Sequence, residues 1–123
     1  MKSKFLIIDT SSRLCSVAVA YGSEIIWSGS AIDEKGFCHA EKLHVLIDDS
    51  LKDVFGSKYS SIREIDAIAI AEGPGSYTGL RIGSAAAKGL ALPLNIPLIA
   101  YSSLAVLAHA AKAKISKEVR ADA

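Results

Sequence analysis

Two short polar stretches, residues 9–12 and 72–75, carry most of the side chains and backbone groups with chemical potential. Each follows an apolar run, and each combines hydroxyls or glycines with one carboxylate. Such groups bind phosphate through amides and hydroxyls, and a carboxylate holds hydrated Mg²⁺. The candidate nucleotide-binding residues are therefore Asp9, Thr10, Ser11, Ser12, Gly73 and Gly75. The same residue types also form turns that satisfy only their own backbone, so both interpretations stay open.

The elements that would position these stretches are short. Apolar runs predict strands at residues 4–8, 15–21, 24–32, 67–71 and 98–101, with Gly22-Ser23 as a hairpin turn. Helical patterns cover residues 40–55, the stretch after the glycine loop to residue 92, and about 103–113. The order βββαβαβα predicts an α/β fold, a five-stranded mixed sheet with helices packed on it. Right-handed crossovers make the last two strands parallel to the first, which brings the two polar stretches to one sheet edge.

The helix after the glycine loop has an unusual row of small residues. Gly79, Gly83, Ala87 and Ala91 recur every four residues and so share one side of the helix. Small side chains allow another backbone to come close. The row therefore indicates either close packing on the chain's own sheet or contact with a partner helix, and both readings stay open.

Catalytic and metal sites find little support in the sequence. His39 and His44 are five residues apart, which rotates them by roughly 140° around a helix, so they are poorly placed to share one ion. No Ser/His/Asp or Cys/His set can be assembled, and we predict no catalytic and no metal residues. Cys15 and Cys38 are too few for a disulfide framework and are expected to be reduced thiols. With no signal-peptide pattern at the start, we expect a cytoplasmic protein.

Charge and length further restrict the class of protein and the number of domains. The chain has 123 residues and a net charge of +1, with both signs interspersed, so no nucleic-acid surface is indicated. Half of the residues are hydrophobic, enough for one folded domain, which we assign to residues 1–113. Residues 114–123 form a charged tail that is expected to fray.

Three motifs together resemble the bacterial TsaB (YeaZ) family: residues 9–11, 39–43 and the long, specific stretch 73–83. The resemblance implies the first lobe of an actin/hexokinase/Hsp70-like (ribonuclease H-like) fold. Members of that family continue into a second lobe, which we expect to be absent from this chain. Nucleotide in that superfamily lies between the lobes, so the resemblance implies no cofactor here, and ATP with Mg²⁺ at most in an intact complex.

The resemblance also implies a function. It is that of a non-catalytic scaffold that dimerises with a TsaD-like paralogue for threonylcarbamoylation of adenosine 37 in tRNA. A TsaE-like ATPase joins the pair, tRNA is contacted only through the complex, and no membrane is involved. The same helices would also allow a homodimer. The expected interface residues are Ser76, Tyr77, Thr78, Gly79, Arg81, Ile82, Gly83, Ala86, Ala87, Leu90, His39 and Leu43.

Two other functions compete with the scaffold. The first is a small nucleotide-dependent phosphotransferase or ATPase that uses Asp9 and the glycine loop. The second, more remote, is a glycoprotease-like metallopeptidase.

Overall fold

The computed structural model describes residues 3–32, 40–56, 61–75 and 77–102. Its strands are β1 (Lys4–Asp9), β2 (Cys15–Tyr21), β3 (Glu24–Ala31), β4 (Ala67–Gly73) and β5 (Leu98–Ser102). Its helices are α1 (Ala40–Phe55) and α2 (Tyr77–Leu94), with a 3₁₀ turn at Ser61–Glu64. The predicted bounds agree with these to within a few residues. The predicted helix at 103–113 and the tail at 114–123 lie outside the described residues.

The five strands form one mixed sheet in the order β3-β2-β1-β4-β5. β1 pairs antiparallel with β2, which pairs antiparallel with β3 across a turn in which Gly22 has φ of 59°. β4 is parallel to β1, and β5 is parallel to β4. The predicted fold class and strand directions are therefore confirmed, and the ends of β1 and β4 do lie side by side.

Both helices pack on the same face of the sheet. α1 lies over β2 and β3, and α2 lies over β4 with contacts to β1 and β5. The alternation along β1 explains this, because Leu6 and Ile8 are fully buried under the helices while Ile7 points to the opposite face. The core also contains the buried side of α1, whose fully or nearly fully buried apolar residues are Leu43, Ile47 and Leu51.

Cys15 corrects one expectation from the sequence. It lies fully buried at the start of β2 and is disulfide-bonded, so the prediction of a reduced thiol is wrong at this position. Cys38 lies outside the described residues. No helix within the described ranges is long and apolar enough to cross a membrane.

Candidate functional site

The polar stretch after β1 folds as a turn held by its own side chains. One carboxylate oxygen of Asp9 accepts hydrogen bonds from the Ser11 amide at 2.9 Å and from the Ser11 hydroxyl at 2.6 Å. The hydroxyl of Ser12 accepts a bond from the Leu14 amide at 3.1 Å. Groups that the sequence offered to a phosphate are thus engaged in local turns of the Asx and serine type.

The glycine loop presses directly on this turn. A Cβ at Gly75 would overlap the carbonyl group of Ser11, so only glycine allows the two loops to touch. Gly73 has φ of 118° and precedes a cis peptide bond to Pro74, and a Cβ there would lie 3.1 Å from Leu80. The Gly-Pro-Gly sequence is therefore explained by a sharp, closely packed connection between β4 and α2.

Thr10, one of the candidate residues, has its side chain on the face of the sheet that α2 covers. Its side chain is fully buried beneath α2, where its hydroxyl oxygen lies against Gly83. Within the described residues Oγ1 has no hydrogen-bond partner. The Thr10 hydroxyl is therefore turned away from the sheet edge, and the assignment of Thr10 to a nucleotide site stays a prediction. Alternation along the strand places it on the helix-covered face, two residues beyond Ile8.

Replacing Thr10 by valine is expected to leave stability unchanged or raise it by up to about 1 kcal/mol, because a buried hydroxyl without a partner carries a desolvation penalty. Urea denaturation measures the change. Ser50→Ala is the matched control, since Ser50 is equally buried but donates a hydrogen bond to the Ile47 carbonyl at 2.7 Å. That control should lose about 1 kcal/mol. A larger loss in Thr10→Val than in Ser50→Ala would contradict this description of Thr10.

Tyr101 is a residue near this edge that the sequence analysis missed. Burial raises the pKa of its phenol to about 12, and the negative charge of Asp9 adds to the shift. Both side chains belong to the sheet face that α1 and α2 leave free. A shallow depression of about 400 Å³ on this face is lined by Asp9, Ser16, Ser28 and Ser30, among others. In the described part of the chain, no three His, Cys, Asp or Glu residues come together as a metal site.

The row of small residues on α2 faces the sheet. Gly79, Gly83, Ala87 and Ala91 are all buried. A Cβ at Gly83 would overlap Thr10 Oγ1 and lie 3.1 Å from Ile70 Cδ1. The reading of this row as packing on the chain's own sheet is correct. Gly79, Gly83 and Ala87 were also predicted as interface residues, but the structure buries all three and leaves them no exposed surface for a partner. Leu43, also fully buried, cannot form a contact surface either.

The opposite side of α2 forms an open apolar groove against α1, with a volume of about 690 Å³. We call it the α1/α2 groove. Its lining residues are Ala40, His44, Tyr77, Thr78, Arg81, Ile82, Ala85, Ala86, Gly89 and Leu90. Six of the predicted interface residues are in this set, namely Tyr77, Thr78, Arg81, Ile82, Ala86 and Leu90. Ser76 and His39 lie outside the described residues.

Ala85 and Gly89 are groove residues that sequence reasoning missed. Tyr77, Arg81, Ala85 and Gly89 are spaced by four and are all exposed, Tyr77 by 74%. They form the outermost row of α2, which we call the outer row. The signal was present in the sequence, since a row containing Arg81 is a better candidate for the outer side of a helix than a row of glycines and alanines.

Comparisons with known proteins agree with this architecture. The sequence model of the family described as "TsaD: tRNA N6-adenosine threonylcarbamoyltransferase" matches residues 36–121. A relative in Haemophilus influenzae, "tRNA threonylcarbamoyladenosine biosynthesis protein TsaB", is 33% identical over 86% of this chain and 42% of its own length. The protein of that name in Escherichia coli is 33% identical over 88% of this chain and 44% of its own.

A solved structure agrees in the same way. "YeaZ from Pseudomonas aeruginosa" superposes with a TM-score of 0.75 at 35% identity, over 91% of this chain and 49% of that one. The chain thus spans about half the length of the relatives that it matches. Since the family match covers well over half of this sequence, the chain belongs to the TsaD family, and its relatives there are TsaB (YeaZ) proteins of tRNA threonylcarbamoyladenosine biosynthesis.

Proposed function

We propose that this chain is a non-catalytic scaffold that docks a TsaD-like protein through the α1/α2 groove. The pair would serve threonylcarbamoylation of adenosine 37 in tRNA. The names of the curated relatives support the process. The groove supports the role of a scaffold. A TsaD-like partner with the same fold could place its equivalent helices against α1 and α2.

The observation that carries this proposal is the exposed, largely apolar outer side of α2. The lining of the α1/α2 groove on this side is dominated by alanine, glycine, isoleucine and leucine, with the Tyr77 ring at one end. Apolar surface of this kind seldom stays exposed to water in a working protein. Aromatic residues with apolar neighbours are also typical of the centre of protein interfaces.

The turn chemistry supports a non-catalytic role. The hydroxyls of Ser11 and Ser12 are engaged within their own loop, and that of Thr10 is buried under α2. Of the predicted residues, Asp9 is the one that provides a carboxylate at this sheet edge. One of its carboxylate oxygens already accepts hydrogen bonds from both the amide and the hydroxyl of Ser11. This donor set does not fit a magnesium–nucleotide site by itself. The proposal therefore assigns the chemistry to the TsaD-like partner, and ATP to a TsaE-like ATPase in the intact complex.

The remaining parts of the proposal follow from the process. tRNA is contacted through the assembled complex, and the work takes place in the cytoplasm. In the absence of the partner, the same groove also allows two copies of this chain to associate.

The proposal makes a prediction for Gly89, which is exposed in the interior of α2. A Cβ at this position meets no atom within 4 Å, so the chain's own fold does not require glycine. Gly89→Ala should stabilise the free chain by about 1 kcal/mol through helix propensity. It should also weaken partner docking by about tenfold, because an added methyl group disturbs a closely packed helix contact.

Thermal unfolding and calorimetric titration measure these two effects on the same variant. Lys88→Ala is the matched control, since Lys88 is the exposed neighbour on α2 but does not line the groove. A Gly89→Ala variant that docks as tightly as the parent chain would remove Gly89 from the contact.

The proposed function as a whole is tested by co-expression of this chain with the TsaD-like protein of the same genome. Size-exclusion chromatography with light scattering should show a 1:1 complex. Separate elution of the two proteins at micromolar concentration would contradict the scaffold. Micromolar binding of Mg-ATP by this chain alone would instead favour the phosphotransferase or ATPase.

A further inference from the structure

Among the described residues that line the α1/α2 groove, Arg81 is the permanently charged one, and none is a carboxylate. The guanidinium carbon of Arg81 lies 5.7 Å from the centre of the Tyr77 ring. Among the residues described, no aspartate or glutamate pairs with Arg81. Within the described residues, the contact that this cation makes in the groove is with the Tyr77 ring.

Docking would change the surroundings of this cation. A helix laid in the groove removes water from the outer row, to which Arg81 belongs. Burying a guanidinium without an anionic partner is unfavourable, whereas a carboxylate can accept two parallel hydrogen bonds from it. A partner that fits the groove must therefore offer both apolar side chains and one carboxylate opposite Arg81.

Resting on the proposed function, we propose that Arg81 is its specificity determinant. It selects a partner helix that is apolar but carries one aspartate or glutamate, and it disfavours a second copy of this chain. A second copy would add another Arg81 to the contact, and the described lining of its groove would add no acid. Like charges brought together across an interface suppress pairing.

Two described carboxylates near the groove, Asp48 and Glu72, form no ion pair with Arg81. On α1, Asp48 is paired with Lys52 of the same helix at 2.8 Å. On the other side of the outer row, a second depression is lined by Glu72, Arg81 and Lys88 among others, but no ion pair joins these side chains. Glu72 belongs to β4, beyond the outer row as seen from the groove, and is not among the groove residues.

The test compares Arg81→Met with Lys88→Met in calorimetric titrations against the TsaD-like partner at about 50 and 500 mM NaCl. Both changes remove one positive charge from an exposed position on α2, and methionine keeps most of the apolar part of the side chain. Arg81→Met should weaken docking by about tenfold or more and flatten its salt dependence. Lys88→Met should change either quantity by less than about twofold. Sedimentation should show that Arg81→Met self-associates more strongly than the parent chain.

Equal affinity and equal salt dependence of Arg81→Met and the parent chain would overturn this inference. Equal losses in both variants would also overturn it, because they would show a general charge effect. Either result leaves the proposed function standing as long as a bulky substitution at Ala85 abolishes docking. If the Ala85 substitution has no effect either, the docking face itself is wrong. Thermal midpoints close to that of the parent chain would show that both methionine variants are folded.

Discussion

Gly83→Ala is expected to destabilise the chain by about 3 kcal/mol, and Gly83→Leu to leave it largely unfolded. The new Cβ would overlap the hydroxyl oxygen of Thr10 and lie 3.1 Å from Ile70 Cδ1. Both side chains are buried, Thr10 at 0% and Ile70 at 6% exposure, so neither has open space to move into. α2 would have to lift from the sheet to make room, which would expose the apolar core beneath it.

Urea denaturation of Gly83→Ala measures this loss, and Gly89→Ala is its control on the same helix. The two glycines have equal helix propensities, so the difference between the variants isolates the contact with Thr10. Equal stability of the Gly83 variant and the parent chain would contradict the close packing described here. The expected unfolding also means that a failure of Gly83→Leu to bind a partner reports a damaged fold and says nothing of the interface.

Ala85→Arg is expected to reduce affinity for the TsaD-like partner by at least about a hundredfold while leaving thermal stability nearly unchanged. Ala85 is exposed in the outer row and lines the depressions on both sides of it. A long charged side chain there fills the space needed by a docked helix and buries an unpaired charge. In the free chain the same side chain extends into water at no comparable cost.

Leu92→Arg is the matched control for Ala85→Arg. Leu92 is on the same helix, is 77% exposed and lies outside both depressions. Calorimetric titration should therefore show that this control binds the TsaD-like partner with the same affinity as the parent chain. Loss of binding in both variants would place the contact outside the groove. Retention of binding in both would exclude the outer side of α2 as the docking surface.

Much of the fold could be predicted because its signals are local. Apolar runs located all five strands, and the amphipathic pattern gave α1 its observed bounds, Ala40–Phe55. The parallel pairing of β1 with β4 followed from the handedness of crossovers. The direction in which α2 faces did not follow from its small residues, because a period of four shows that Gly79, Gly83 and Ala87 share a side but not what covers that side. The charged residues Arg81 and Lys88 indicate which side of α2 faces the solvent.

The candidate site was harder to predict than the fold. Asp9 and Ser11 are as suitable for a turn as for a phosphate, and only their mutual hydrogen bonds decide between the two uses. Whether the Thr10 hydroxyl faces the helices or the ligand edge depends on strand alternation carried past the end of β1. Tyr101 was missed because its approach to Asp9 needs the order β1-β4-β5, which brings residues 92 positions apart in sequence to one face.

Hydrogen–deuterium exchange with and without the TsaD-like partner tests whether the α1/α2 groove is the docking surface. We expect slower exchange in peptides that cover α1 and α2, strongest between Tyr77 and Leu90, with no change in β3 or β5. Protection of the Asp9 loop or of β5, with both helices exchanging as in the free chain, would contradict docking through the α1/α2 groove.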